Sequence, residues 1–242
     1  MNFYQKLFIY FINIIDNSNK KKIINFFIKK FKKKKITLLD IGAHRGETID
    51  LFNKYLNLDR VYSIEPNADL YKELVRNNKY NNTNCSFYNI GLGNKSELKK
   101  LKVLKDTSSS TFNELNKNSL YFLRKKKILN FFNKDSDLID KEQEIEIIKT
   151  NEFLYSQNIK KIDIFKIDTE GFEYNILLGL NKENFKNIEY IYLEHHFDLM
   201  IEKKYKYSDL RKLLELNSFK LEFKLKMKFR KTFEYIFRNI NF

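Results

Sequence analysis

The spacing of apolar residues changes along this chain, and each change predicts an element. Between residues 20 and 34, Ile23, Ile24, Phe27, Ile28 and Phe31 recur at three- and four-residue steps with lysines between them, which predicts an amphipathic helix. A second helix is predicted over 3–15, with a polar turn at Asp16-Asn17-Ser18-Asn19. From Ile36 the pattern changes. ITLLDIG is a short, nearly continuous apolar run, as expected of a strand buried on both faces. The helical GETIDLFNKYLN follows, then the strand RVYSIEP, the helix NADLYKELVRNNKYNN and the strand CSFYNIGLG. After Asn158 come the strand KIDIFKID, the helix FEYNILLGL, the strand NIEYIYLEHH and the helix SDLRKLLELN. FKLEFKLKM and TFEYIFRNI close the chain as two strands expected to pair antiparallel. Strands alternating with helices predict an α/β fold: a mostly parallel, Rossmann-like sheet with an antiparallel C-terminal strand and helices on both faces. Residues 94–157 break the alternation and read as an insertion. The expected organisation is a basic helical extension over 1–35 and one domain over 36–242.

Composition alters this picture little. The chain has 242 residues, 43% of them hydrophobic, enough for one domain with a full core. Its net charge is +15. Lys, Asn, Ile and Phe dominate, and all have A/T-rich codons, so codon bias accounts for much of that charge. Nucleic acid is therefore not the expected partner. The lysine-rich segment 1–35 allows a peripheral contact with anionic membrane. A helix packed on its own domain with a solvated lysine face explains the same pattern more simply. LFIYFINII (7–15) is well short of the ~20 residues needed to span a bilayer. No small-x-small cleavage pattern follows it, so export is not expected. The single cysteine, Cys85, excludes an internal disulfide framework and a cysteine zinc cluster. It fits a cytoplasmic location.

The candidate chemistry lies at the strand ends, where open parallel sheets bind ligands. The chain has six glycines. Gly42 and Gly46 bracket the turn after Asp40, Gly91 and Gly93 follow the third strand, and Glu65 ends the second strand 19 positions after Gly46. Glycine lets a backbone approach a ligand closely, and a carboxylate at Glu65 can accept bonds from both hydroxyls of a ribose. The spacing D-x-G-x-x-x-G differs from the dinucleotide fingerprint G-x-G-x-x-G. Asp40 would repel a pyrophosphate but suits a cationic ligand. S-adenosylmethionine fits these requirements, and a nicotinamide oxidoreductase is the enzyme alternative. A basic nucleic-acid or membrane module using residues 20–35 and 124–127 is the nonenzyme one. At the other strand ends, Asp168, Glu170, Glu194, His195 and His196 suggest a second cluster. Asp168 and Glu194, with His195, could hold a divalent cation such as magnesium, which would lower the pKa of an acceptor hydroxyl. Alternatively, Asp168, Glu170 or His195 acts as a general base without metal. If the last strand continues, His195 and His196 point to opposite faces. Ser108 to Thr111 offers hydroxyls from a polar loop, and Glu173 reads as a solvent-facing helix position.

In content and order, LLDIGAHRGE, YSIEPN, FYNIGLGNK, SSST, IDIFKIDTEGFEYNILLG and IYLEHH resemble the FkbM-type methyltransferases over about residues 36–225. The resemblance implies a class I S-adenosylmethionine-dependent methyltransferase fold. It also implies activity on hydroxyls of sugars, polysaccharides or natural products. On its terms Asp40, Gly42, Gly46 and Glu65 bind the cofactor, with Gly91 near the adenine. O-methylation of a sugar hydroxyl on a glycan or glycoconjugate precursor is the expected reaction.

Overall fold

The computed structural model describes residues 20–80, 84–105, 110–132, 138–227 and 231–242. A helix over 20–31, α1, leads into β1 (Lys35–Ile41), α2 (Glu47–Tyr55), β2 (Asn57–Ile64), α3 (Ala68–Val75) and β3 (Cys85–Tyr88). Next come β4 (Gly91–Gly93), β5 (Glu97–Leu104), β6 (Ser110–Thr111), α4 (Leu120–Phe132) and β7 (Ile139–Lys149). The chain then forms α5 (Thr150–Ser156), β8 (Ile162–Ile167), α6 (Glu173–Leu178), α7 (Lys182–Lys186) and β9 (Ile188–His196). It closes with α8 (Tyr207–Leu216), β10 (Phe219–Lys226) and β11 (Thr232–Asn239).

Seven strands form the main sheet in the order β10-β11-β9-β8-β1-β2-β3. Only β11 runs against the others, paired antiparallel to β9 and β10. The alternating sides of these strands separate two cores. Leu39, Ile41, Phe165, Ile167, Ile191 and Leu193 pack with residues of α6, α7 and α8. Leu38, Ile164, Tyr190, Tyr192 and Ile236 pack with α1 and α2. β1 is central, so both its sides are covered, and Leu38, Leu39 and Asp40 have no exposed surface. Helix α1 belongs to the second core. Its Ile23, Ile24, Phe27 and Phe31 are buried, and Phe27 meets Phe52 and Tyr190 edge-on at 5.5 and 5.9 Å. Each such side chain contributes about 1.5–3 kcal/mol by burial. The apolar face of this helix therefore lies inside the domain, and Lys34 beyond it pairs with Asp163 and Glu189. The helix expected over 3–15 lies outside the described residues.

A smaller sheet, β4-β7-β5-β6, interrupts the α/β alternation. It corrects one expectation. CSFYNIGLG is not one strand: β3 ends at Tyr88, and Gly91–Gly93 crosses to pair with β7. A Cβ on Gly91 would lie 2.6 Å from Ile147 Cδ1 and one on Gly93 2.9 Å from Ile147 Cγ2, so both glycines admit the side chain of the second sheet. Helix α5 returns to the main core through Phe153 and Leu154.

Candidate active site at the strand ends

The turn between β1 and α2 is built from left-handed backbone. Gly42, His44 and Gly46 have φ of 82°, 52° and 87°. Gly42 N and Ala43 N donate to Ile64 O, which ties the turn to the end of β2. Glu65 is the next residue on that strand and is 5% exposed. Its Oε2 accepts from His44 N and its Oε1 from Asn67 N, both at 2.8 Å. Each carboxylate oxygen retains a free lone pair. Burial pushes the Glu65 carboxyl up to about 7, against the pull of these bonds. Gly42, His44, Glu65, Gly91, Asp168 and Glu170 line one crevice over the strand ends, with apolar walls including Ile64, Leu92 and Phe112.

The far side of the crevice is the turn between β8 and α6. Glu170 and Gly171 both have positive φ, at 50° and 96°. Three contacts fix this turn. Glu173 Oε1 accepts from Gly171 N at 2.7 Å, Thr111 Oγ1 donates to Glu170 O at 2.8 Å, and Asn113 Nδ2 donates to Gly171 O at 2.7 Å. The second sheet thus clasps the turn that carries Asp168 and Glu170. Beyond it, His196 Nε2 stands 3.3 Å from Glu170 Oε2 and 3.2 Å from Glu194 Oε1, and its Nδ1 is 3.5 Å from Asp198 Oδ2. Burial disfavours charge on this imidazole, but Glu170, Asp198 and Glu194 outweigh it and hold its pKa well above the usual range. Burial, with the charges of Asp168 and Glu194, pushes the Glu170 carboxyl up to about 7.

Several expected roles change. Asp40 does not line the crevice. It is fully buried and accepts from Lys166 Nζ at 3.0 Å, so its charge is matched within the protein. Lys166 also lies 3.7 Å from Asp168 Oδ2. Burial opposes its charge, but Asp40 and Asp168 raise its pKa. Gly46 does not line the crevice either. A Cβ there would sit 2.3 Å from the Tyr80 hydroxyl, which itself hydrogen-bonds Asp50 at 2.7 Å. Gly91 lines the crevice, but its missing Cβ makes room for Ile147 and Phe112.

His195 is not at the rim. Its ring lies on the other side of the sheet, 4.8 Å from Phe197 and 5.6–5.8 Å from Tyr207 and Tyr205. Burial pushes it down to about 3, aided by Lys203 and His196, so it is neutral. His196 is the rim histidine. Glu194 and His196 are two residues apart on a strand and share a side; this alternation was the available signal. Glu173 is 1% exposed rather than solvent-facing, and it also accepts from the Tyr205 hydroxyl. Of Ser108 to Thr111, residues 108–109 lie outside the described residues, and Ser110–Thr111 forms β6.

Comparisons with known proteins bear on the family and the fold. The family model described as Methyltransferase FkbM domain matches residues 40–221. The FkbM methyltransferase of Methylobacillus flagellatus KT superposes with a TM-score of 0.54 at 14% identity, over 84% of this chain and 43% of its own. The chain thus spans less than half the length of that protein. The magnesium protoporphyrin IX methyltransferase of Synechocystis PCC 6803, solved with bound SAM, gives 0.47 at 12% identity, over 98% of this chain and 83% of its own. No curated protein matches. The family match covers most of the chain, and the fold is that of class I methyltransferases: the chain belongs to the FkbM methyltransferase family.

Proposed function

We propose that the protein transfers a methyl group from S-adenosylmethionine to a hydroxyl of a sugar on a glycan or glycoconjugate precursor, in the cytoplasm. The observation that carries the cofactor half is Glu65. Its buried carboxylate reaches the crevice with a spare lone pair on each oxygen, which suits the two neighbouring hydroxyls of a ribose. The apolar walls beside it suit a purine. From the left-handed turn after β1, Gly42 and His44 line the crevice with Glu65. When bound, the cofactor supplies a methyl group on a positively charged sulfur, already activated for displacement.

The chain's own groups must then orient the acceptor and remove its proton. Asp168 and Glu170 line the same crevice as Glu65. A sugar hydroxyl is a weak acid, so its proton needs help to leave as oxygen takes the methyl group and the sulfur–carbon bond breaks. Glu170 is the general base of this reading. A divalent cation on the same rim would assist by lowering the hydroxyl pKa. Among the described residues no helix is long and apolar enough to cross a membrane.

Titration calorimetry tests the cofactor half. Wild type should bind S-adenosylmethionine, and Glu65→Ala, shown to be folded by circular dichroism, should lose that binding. Cofactor binding unchanged in Glu65→Ala would refute the assignment. Transfer of labelled methyl groups to polysaccharide fractions, rather than to protein or RNA, tests the acceptor class.

A further inference from the structure

Four carboxyl side chains, Asp168, Glu170, Glu194 and Glu234, gather at the ends of β8, β9 and β11 with His196 and Lys166 among them. Glu234 faces Glu194 across the β9–β11 pair. It is 4% exposed and accepts from the Tyr192 hydroxyl. One ligand atom each from Asp168, Glu194 and His196 lies within 4.8 Å of the others. Ligands shared by one ion at about 2.1 Å sit roughly 3–4 Å apart, so sub-ångström side-chain shifts close this cluster. A second observation comes from the histidine. His196 Nε2 is fully buried and makes no hydrogen bond, although two carboxylates flank it. Its other nitrogen, Nδ1, is within 3.1 Å of Thr232 Oγ1 and 3.5 Å of Asp198, an arrangement that orients Nε2 inward.

We propose that Asp168, Glu194 and His196 bind one divalent cation of the manganese type, with the acceptor completing its coordination. Two carboxylate oxygens and an imidazole nitrogen favour manganese over calcium, which takes oxygen ligands alone. Asp168 is the ligand that lines the crevice, and its side chain is 34% exposed. The free side of the ion therefore faces the space where an acceptor would lie. An acceptor with two adjacent oxygens, as in a sugar diol, would chelate it. This use of the ion rests on the methyltransferase reading; the binding itself does not. In the coupled reaction the hydroxyl oxygen bonds the methyl carbon, the sulfur–carbon bond breaks, and the hydroxyl proton leaves to a rim carboxylate or to water.

The test is manganese binding to the full chain without cofactor, followed by loss of the free-ion electron paramagnetic resonance signal. Wild type should bind one ion per chain, and bind calcium at least tenfold more weakly. Glu194→Gln and His196→Gln should each weaken manganese binding more than tenfold, whereas His195→Phe, on the opposite side, should leave it unchanged. Asp168→Asn provides a second ligand variant should either fail to fold, as judged by circular dichroism. No stoichiometric binding at millimolar manganese would overturn the proposal. Equal binding by wild type and all ligand variants would also overturn it. A protein that binds manganese but not S-adenosylmethionine would refute the methyltransferase reading and leave this one standing.

Discussion

The two halves of the crevice are made of different materials. The half at β1 and β2 is mostly backbone: a left-handed turn through Gly42, His44 and Gly46, and one carboxylate held by two main-chain N–H groups. The half at β8 and β9 is mostly charged side chain: Asp168, Glu170, Glu194 and His196. Lys166 lies between them, bonded to Asp40 on one side and near Asp168 on the other. Backbone fixes the first half by conformational constraint. Side chains fix the second by electrostatic balance, which is easier to disturb with a single substitution.

The largest effect is expected where the halves meet. Lys166→Met leaves Asp40 buried and unpaired, which should cost about 3–5 kcal/mol in chemical denaturation. A loss below 1 kcal/mol would show that Asp40 is neutral in the fold. Gly42→Ala comes next. Its Cβ would fall 1.8 Å from the Asp168 carbonyl oxygen at a φ of +82°, so strain and overpacking should cost about 2–4 kcal/mol and disturb both halves. Glu65→Gln can accept only one of the two backbone N–H groups that Glu65 accepts, so it should cost about 1–3 kcal/mol of stability and weaken cofactor binding about 10–100-fold by calorimetry. The smallest effect belongs to His195→Phe, an aromatic swap in an aromatic nest. It should shift stability by less than about 1.5 kcal/mol. A large loss of methyl transfer there would restore His195 to the reaction.

The first half also has a pH signature. The Glu65 carboxyl sits at about 7 in the fold, above its ordinary value of 4.5. The folded state therefore binds more protons than the unfolded one between those values, and burial of Glu65 costs stability increasingly as pH rises through that window. Ribose hydroxyls donate to the ionised form. Cofactor affinity should thus rise from pH 6 to pH 8 and level off above, and Glu65→Gln should remove this dependence.

Much of this architecture is legible in the pattern of residues. Continuous apolar runs such as ITLLDIG and KIDIFKID mark strands buried on both sides, and the alternation with helices implies the parallel sheet. That Glu65 lines the crevice is readable because it depends only on its place just after a strand end. The second sheet was not legible as a sheet, because β4 is three residues long and pairs with β7 more than fifty positions away. Asp40 misleads because a sequence shows a charge but not its partner, and Lys166 is 126 residues distant.

The sequence by itself determined most strands and helices of the main parallel sheet, the glycine turn and the acidic residue that follows β2, since local spacing and torsional preference govern those features. Only the tertiary structure decided which histidine reaches the rim, that Asp40 is matched by Lys166, and that Glu173 is buried beneath a turn clasped by the second sheet. Those outcomes depend on which side of a strand is covered and what lies opposite, and packing between distant segments sets both.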